Sequence, residues 1–124
     1  MTENNPTKYQ AGMQAQQQAE NYLINKGYSI LERNYRIRTG EVDIIAKHNS
    51  YVIFVEVKFR RGASFGLPRE AVGNTKQRRI VHTAMHYISV RNINDRDFRF
   101  DVVEVTAKNG QVQINHIENA FDAY

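Results

Sequence analysis

The chain has 124 residues, 41% hydrophobic and 24% charged, with no cysteine. That length serves one domain around one core, so residues 1–124 are read as a single domain. The absence of cysteine excludes a disulfide framework and any thiolate ligand or nucleophile. No apolar run approaches the roughly 18 to 20 residues of a membrane span, and the polar start, Met1 to Gln18, lacks the apolar stretch of a secretory signal. A soluble, cytoplasmic protein with no membrane partner is expected, with residues 1–9 flexible. The formal charge is +4, but it is unevenly placed: between Arg33 and Arg79 eleven basic residues stand against four acidic ones, and the rest of the chain is net acidic. A basic stretch around a few acids suits a polyanion held near a cation site, or else a solvated surface that keeps the protein soluble.

From Gln10 to Lys26 the Ala and Gln content and the apolar positions Ala15, Ala19, Tyr22 and Leu23 predict an amphipathic helix that stops at Gly27. Tyr28 to Tyr35 reads as a first strand, Arg36 to Gly40 as a polar turn, and Glu41 to Lys47 as a second strand, with a hairpin turn at His48-Asn49-Ser50. Tyr51 to Phe59 is β-branched and aromatic and apolar on both faces, as a central strand is. Arg60 to Pro68, with two Gly, a Pro and paired Arg, has loop composition. A second helix runs from Asn74 or Thr75 to about Val90, burying Ile80, Ala84, Tyr87 and Ile88. Two strands follow, Phe98 to Thr106 and Gln111 to Ile117, joined by the hairpin signal Asn109-Gly110. The order α-β-β-β-α-β-β predicts an α/β fold, a mixed five-stranded sheet with helices on both faces.

Three charges interrupt the second and third strands. Asp43, Glu56 and Lys58 lie in runs that otherwise read as buried sheet, where an unpaired charge costs several kcal/mol. Alternation puts Glu41, Asp43 and Ile45 on one side of the second strand, and Val52, Phe54, Glu56 and Lys58 on one side of the third. Asp43 and Glu56 lie six and seven residues from Asn49, so hairpin pairing brings them together. Two adjacent carboxylates repel unless a hard cation such as Mg²⁺ or Mn²⁺ sits between them; Lys58 is then beside the cation. The other reading is a cross-strand ion network in which Lys58 neutralises Glu56 and Asp43 is solvated. A metal-free glycosidase pair lacks an aromatic-lined cleft. His82 and His86 have a spacing that can bind zinc, but no third ligand is evident. Phe59 and Phe65, interleaved with Arg60 and Arg61, either stack on bases or pack in the loop. Asp101 is expected to pair with a sheet neighbour such as an arginine.

Asp43, twelve intervening residues, then Glu56-Val57-Lys58 resembles the core motif of the PD-(D/E)XK nuclease superfamily. Gly40-Glu41-Val42-Asp43-Ile44-Ile45-Ala46, Phe54-Val55-Glu56-Val57-Lys58, Lys76-Gln77-Arg78-Arg79 and Phe98-Arg99-Phe100-Asp101-Val102-Val103 together resemble the bacterial YraN-like family (UPF0102), which is similar to archaeal Holliday-junction resolvases. The resemblance implies a restriction-endonuclease-like core. It implies that Asp43, Glu56 and the Val57 carbonyl ligate Mg²⁺ or Mn²⁺, and that Lys58 orients or activates water for phosphodiester hydrolysis of DNA, including branched DNA. Arg60, Arg61, Lys76, Arg78 and Arg79 would contact phosphates, and a homodimer follows by analogy. Gln77 matches a helix-borne polar position beside the site; it is equally placed to serve a capping box with Asn74. The chain departs from the family at Ala15-Gln16, where Gly-Glu is usual. Gln16 offers a carbonyl oxygen in place of a charge and would hold a cation less tightly. The alternative is a nucleic-acid-binding protein that keeps the nuclease fold without cleavage.

Overall fold

The computed structural model describes residues 7–61, except for the side chain of Arg61, and residues 72–123. The chain folds in the order α1 (Lys8–Asn25), β1 (Ser29–Ile37), β2 (Gly40–His48), β3 (Tyr51–Arg61), α2 (Asn74–Val90), β4 (Asp97–Lys108) and β5 (Gln111–Phe121). This is the expected α/β order. The expected loop from Arg60 to Pro68 begins inside β3, and most of it, with Phe65, lies outside the described residues. Among the described residues no helix is long and apolar enough to cross a membrane.

Local chemistry sets the element ends. α1 begins two residues before the expected start because Thr7 and Gln10 form a reciprocal capping box. It ends at Gly27, whose φ of 92° lets the Tyr28 amide reach back to the Leu23 carbonyl at 3.0 Å. α2 is capped by Gly73 without a side-chain bond, so the expected Asn74–Gln77 box does not form; the Gln77 amide donates instead to the Val72 carbonyl at 2.9 Å. The β4–β5 turn places both Asn109 and Gly110 at positive φ, the geometry that matches strand twist in a two-residue hairpin.

The sheet order is β1-β2-β3-β4-β5, antiparallel except for β3–β4, whose parallel pairing requires the crossover through α2. Each face carries one helix. Ala15, Ala19 and Leu23 of α1 pack with Ile44, Ile53, Val55 and Val103 on one face; Ile80, Ala84 and Tyr87 of α2 pack with Val42, Ile45, Phe54 and Phe100 on the other. The alanine stripe is narrow, and its small side chains let α1 lie close against the sheet. Along β3 the alternation is regular, with Phe54 on the α2 face and Val55 and Val57 on the α1 face. Along β2 it is not. Val42 and Ile45 both face α2 although they are three residues apart, so the strand changes face across Asp43, and the expected shared side of Glu41, Asp43 and Ile45 does not hold. Asn34, paired opposite Asp43 by the β1–β2 register, has φ 51° and marks the same change in β1.

Candidate metal and nucleic-acid site

The β2–β3 ladder runs from His48↔Tyr51 to Ile44↔Val55. Beyond it the next residues are Asp43 and Glu56, and the Asp43 carboxylate takes the place of a strand partner: its Oδ2 accepts from the Val57 amide at 2.8 Å. The Glu56 carboxylate stands close enough for its charge to act on Asp43. Burial pushes the Asp43 carboxyl up to about 8, reinforced by the negative charge of Glu56 and opposed by the Val57 amide. Glu56 is buried, and the Lys76 ammonium of α2 sits on its Oε2. Burial pushes that ammonium down, but its bond and charge attraction to Glu56 outweigh this and hold it above the ordinary lysine value. The expected neighbouring acids are therefore brought together, with the Val57 amide on Asp43 and the Lys76 ammonium on Glu56.

The other anticipated residues divide. Lys58 is half-buried, on the Glu56 side of β3 by alternation, and forms no ion pair among the described residues. Val57 lines the same cleft as Asp43. Gln16 reaches this cleft from α1, but its Nε2 points at the Asp43 main-chain oxygen at 3.4 Å, presenting a donor toward the backbone. Gln77 lies in a separate depression with Arg78 and His82. Arg60, expected to meet phosphate, is bound by Glu104 at 2.8 Å, with only 18% of its side chain exposed, and Asn115 holds the other carboxylate oxygen. The Arg61 side chain lies outside the described residues. Arg78 and Arg79 are exposed. His86 is bonded to the Tyr35 hydroxyl at 2.8 Å, which gives that histidine a structural partner. Asp101 does pair with an arginine, Arg99, through two bonds of 2.8 and 2.9 Å.

Two clefts flank the carboxylates. The first, of about 680 Å³, lies between α1 and β1–β2 and is lined by Tyr9, Gln16, Arg33, Asp43 and Phe59 among others. The second, of about 840 Å³, lies between the β1–β2 hairpin and α2, and Arg36, Arg38, Lys76 and Arg79 line it. The hairpin sits directly on the helix: a Cβ on Gly40 would fall 2.5 Å from Thr83 Oγ1 and 2.9 Å from the Arg79 carbonyl. Sequence reasoning placed Arg36 and Arg38 only in a polar turn; their spacing by two in a hairpin that folds toward a basic helix was the available signal. It also passed over Glu20, an acid on α1 one turn beyond Gln16 in the same cleft. Glu20 is buried and held by Arg33 at 2.7 Å. Among the described residues no three His, Asp, Glu or Cys side chains converge on one point. Among the described residues the acidic pair is thus a two-carboxylate site.

Residues 15–105 match the model of the family described as "Uncharacterised protein family UPF0102". The chain belongs to the UPF0102 family. A UPF0102 protein of Lachnoclostridium phytofermentans is 46% identical over 114 residues, covering 91% of this chain and 93% of that protein. One from Clostridioides difficile is 50% identical over 103 residues, covering 83% and 89% of the two chains. A third, from Persephonella marina, is 41% identical over 111 residues, covering 90% and 92%. The matched UPF0102 segment spans α1 through most of β4 and so includes Gln16, Asp43, Glu56, Val57, Lys58 and Lys76.

Proposed function

We propose that this UPF0102 protein is a divalent-cation-dependent phosphodiesterase acting on DNA, branched DNA included, with a PD-(D/E)XK-type site. One observation carries the reading: at the end of the β2–β3 ladder Asp43, bound to the Val57 amide, and buried Glu56, bound to Lys76, stand close enough for the charge of one to act on the other, and such a pair stays together only by sharing a positive charge. The donor chemistry fits a small hard cation, which takes one or two carboxylates and keeps water in its remaining positions. The Lys76 ammonium on Glu56 is a stand-in for that charge. Asp43, Glu56 and the Val57 carbonyl would hold Mg²⁺ or Mn²⁺. When bound, the cation offsets charge growing on the phosphate oxygens and lowers the pKa of water. Lys58 lies on the Glu56 side of β3 and directs the attacking water at phosphorus; the water gives up a proton to solvent as its oxygen bonds to phosphorus, the P–O bond opposite breaks, and the departing oxygen takes a proton from solvent. With Glu56 holding a cation, Lys76 would be free for a phosphate in the basic groove it already lines.

Binding without cleavage is a second reading, favoured by one feature: Gln16 presents its amide nitrogen where a third acid is usual in the family it resembles. Cleavage of single-stranded, duplex and four-way-junction DNA with Mg²⁺ or Mn²⁺ separates the two. The native chain is expected to cut, and Asp43→Asn and Lys58→Ala to cut at least about a hundredfold more slowly. Equal cutting by Lys58→Ala removes the role given to Lys58. Cutting by Gln16→Glu alone makes the native protein a binder, and no cutting by either ends the hydrolase reading.

A further inference from the structure

The Arg36–Glu41 ion pair lines both clefts and stands between them. On its α2 side Arg38 and Arg79 are exposed and form no ion pair among the described residues, so their charge is available to a polyanion. On its α1 side the cleft that reaches Asp43 has an aromatic mouth: Tyr9, on the first turn of α1, is 75% exposed, and Met13, one turn later, is 55% exposed. Neither belongs to the stripe that α1 buries at Ala11, Ala15 and Ala19, so packing does not account for them. Two acids of this cleft are already countered: Glu20 is bound by Arg33 and Glu41 by Arg36. Arg33, 57% exposed, lines the same cleft and spends its Nε on Glu20.

An exposed ring beside arginines, at the end of a basic groove, is the combination by which proteins hold unpaired bases. A continuous duplex has no free base face to offer such a ring. We propose that the α1 cleft binds an unpaired nucleotide, its base stacked on Tyr9 and its phosphate toward Arg33, and that the groove between the hairpin and α2 carries the phosphates of the strand leading to it through Arg38 and Arg79. This rests on the nuclease reading only for the position of the scissile bond. It narrows the substrate class to DNA with an unpaired stretch at the carboxylates, such as a flap or a splayed junction arm.

Fluorescence anisotropy in EDTA tests the binding without cleavage, using a short single strand, a flapped duplex and a blunt duplex, with 2-aminopurine in the unpaired segment to report stacking. Unpaired and flapped DNA are expected to bind more tightly than blunt duplex. Tyr9→Ala should weaken both by about five- to a hundredfold and abolish the 2-aminopurine quench, with Tyr9→Phe keeping it. Arg38→Gln with Arg79→Gln should lower the salt slope on single strands by roughly 1.4, two lost phosphate contacts. Native-like binding of single strands by Tyr9→Ala, or blunt duplex binding as well as flapped, overturns the inference. A Tyr9-dependent single-strand binder that never cuts leaves it standing and ends the hydrolase reading. A duplex cutter indifferent to Tyr9 does the reverse.

Discussion

Asp43 and Glu56 are each ordinary residues made unusual by where the backbone puts them. A carboxyl whose pKa is raised on folding favours the folded state while protonated: its contribution is complete below the unfolded value of 3.8 and is lost as pH rises through about 8. In EDTA, the native protein should therefore lose stability between pH 5 and pH 8 relative to Asp43→Asn, which keeps an acceptor for the Val57 amide and adds a donor for Glu56. The expected difference is on the order of 3 kcal/mol, read from urea unfolding of both proteins at the two pH values; parallel curves would remove the close pair. Lys76 offers the complementary case. Its removal leaves Glu56 buried beside a second acid, so Lys76→Met should cost about 1–2 kcal/mol in EDTA, the figure being moderated by the half-exposed ammonium. Mn²⁺ should recover more of the melting temperature in Lys76→Met than in the native chain, because a ligand that binds only the folded state stabilises it. Asp43, Glu56 and Lys58 were legible as residues, since charge in a core strand demands a partner. Lys76 as that partner was not, because it arrives from a helix eighteen residues and more further along the chain.

At the scale of elements, the β1–β2 hairpin and α2 are joined by contact rather than by any bond a sequence displays. Gly40 allows it. Gly40→Ala should destabilise by about 1–3 kcal/mol in urea unfolding, since its methyl would meet Thr83 Oγ1 and the Arg79 backbone, and only one of those is a side chain able to turn aside. The same variant should weaken DNA binding through the groove, by pushing Arg38 away from Arg79. Periodicity gave every helix and strand in order, because each element is amphipathic or uniformly apolar over its own length. It ended strands early: β5 continues to Phe121, held by its pairing with Phe100 across the sheet rather than by its own composition. It also carried strict alternation through Asp43, where the backbone changes face opposite the left-handed Asn34 of the neighbouring strand.

The whole molecule is tied by a buried acid distant in role from the carboxylate pair. Asp101, fully buried, accepts from Arg99, from His116 at 2.7 Å and from the Asn119 amide at 3.0 Å; Arg99 reaches on to Tyr28, and His116 to Tyr22. Through these bonds α1, Tyr28 just before β1, β4 and β5 share one charge centre. Burial raises the Asp101 carboxyl, but His116, Arg99 and the Asn119 amide outweigh it and hold it below the ordinary value. Its stabilisation is therefore present above the unfolded pKa and is lost as pH falls through the depressed one. Asp101→Asn should cost about 3 kcal/mol at pH 7, because Arg99 is left largely buried with only the more distant, exposed Glu118 as counter-charge, and the gap to the native protein should close in acid. Urea unfolding at pH 7 and pH 3 reads both. DNA binding through Tyr9 and Arg38 should be unchanged, which separates this scaffold from the clefts.

Element order, the helix faces and the three charges that do not belong in a core were written locally, in spacings of two and of three to four residues, and a linear chain records those directly. Which cation stands on Glu56, that Arg60 is spent on Glu104, that Arg36 and Arg38 face Arg79, and where β2 turns over were settled only on folding. Each of these joins residues from different elements, and the partner of a buried charge is chosen by proximity in space, which depends on the twist and docking of the entire sheet.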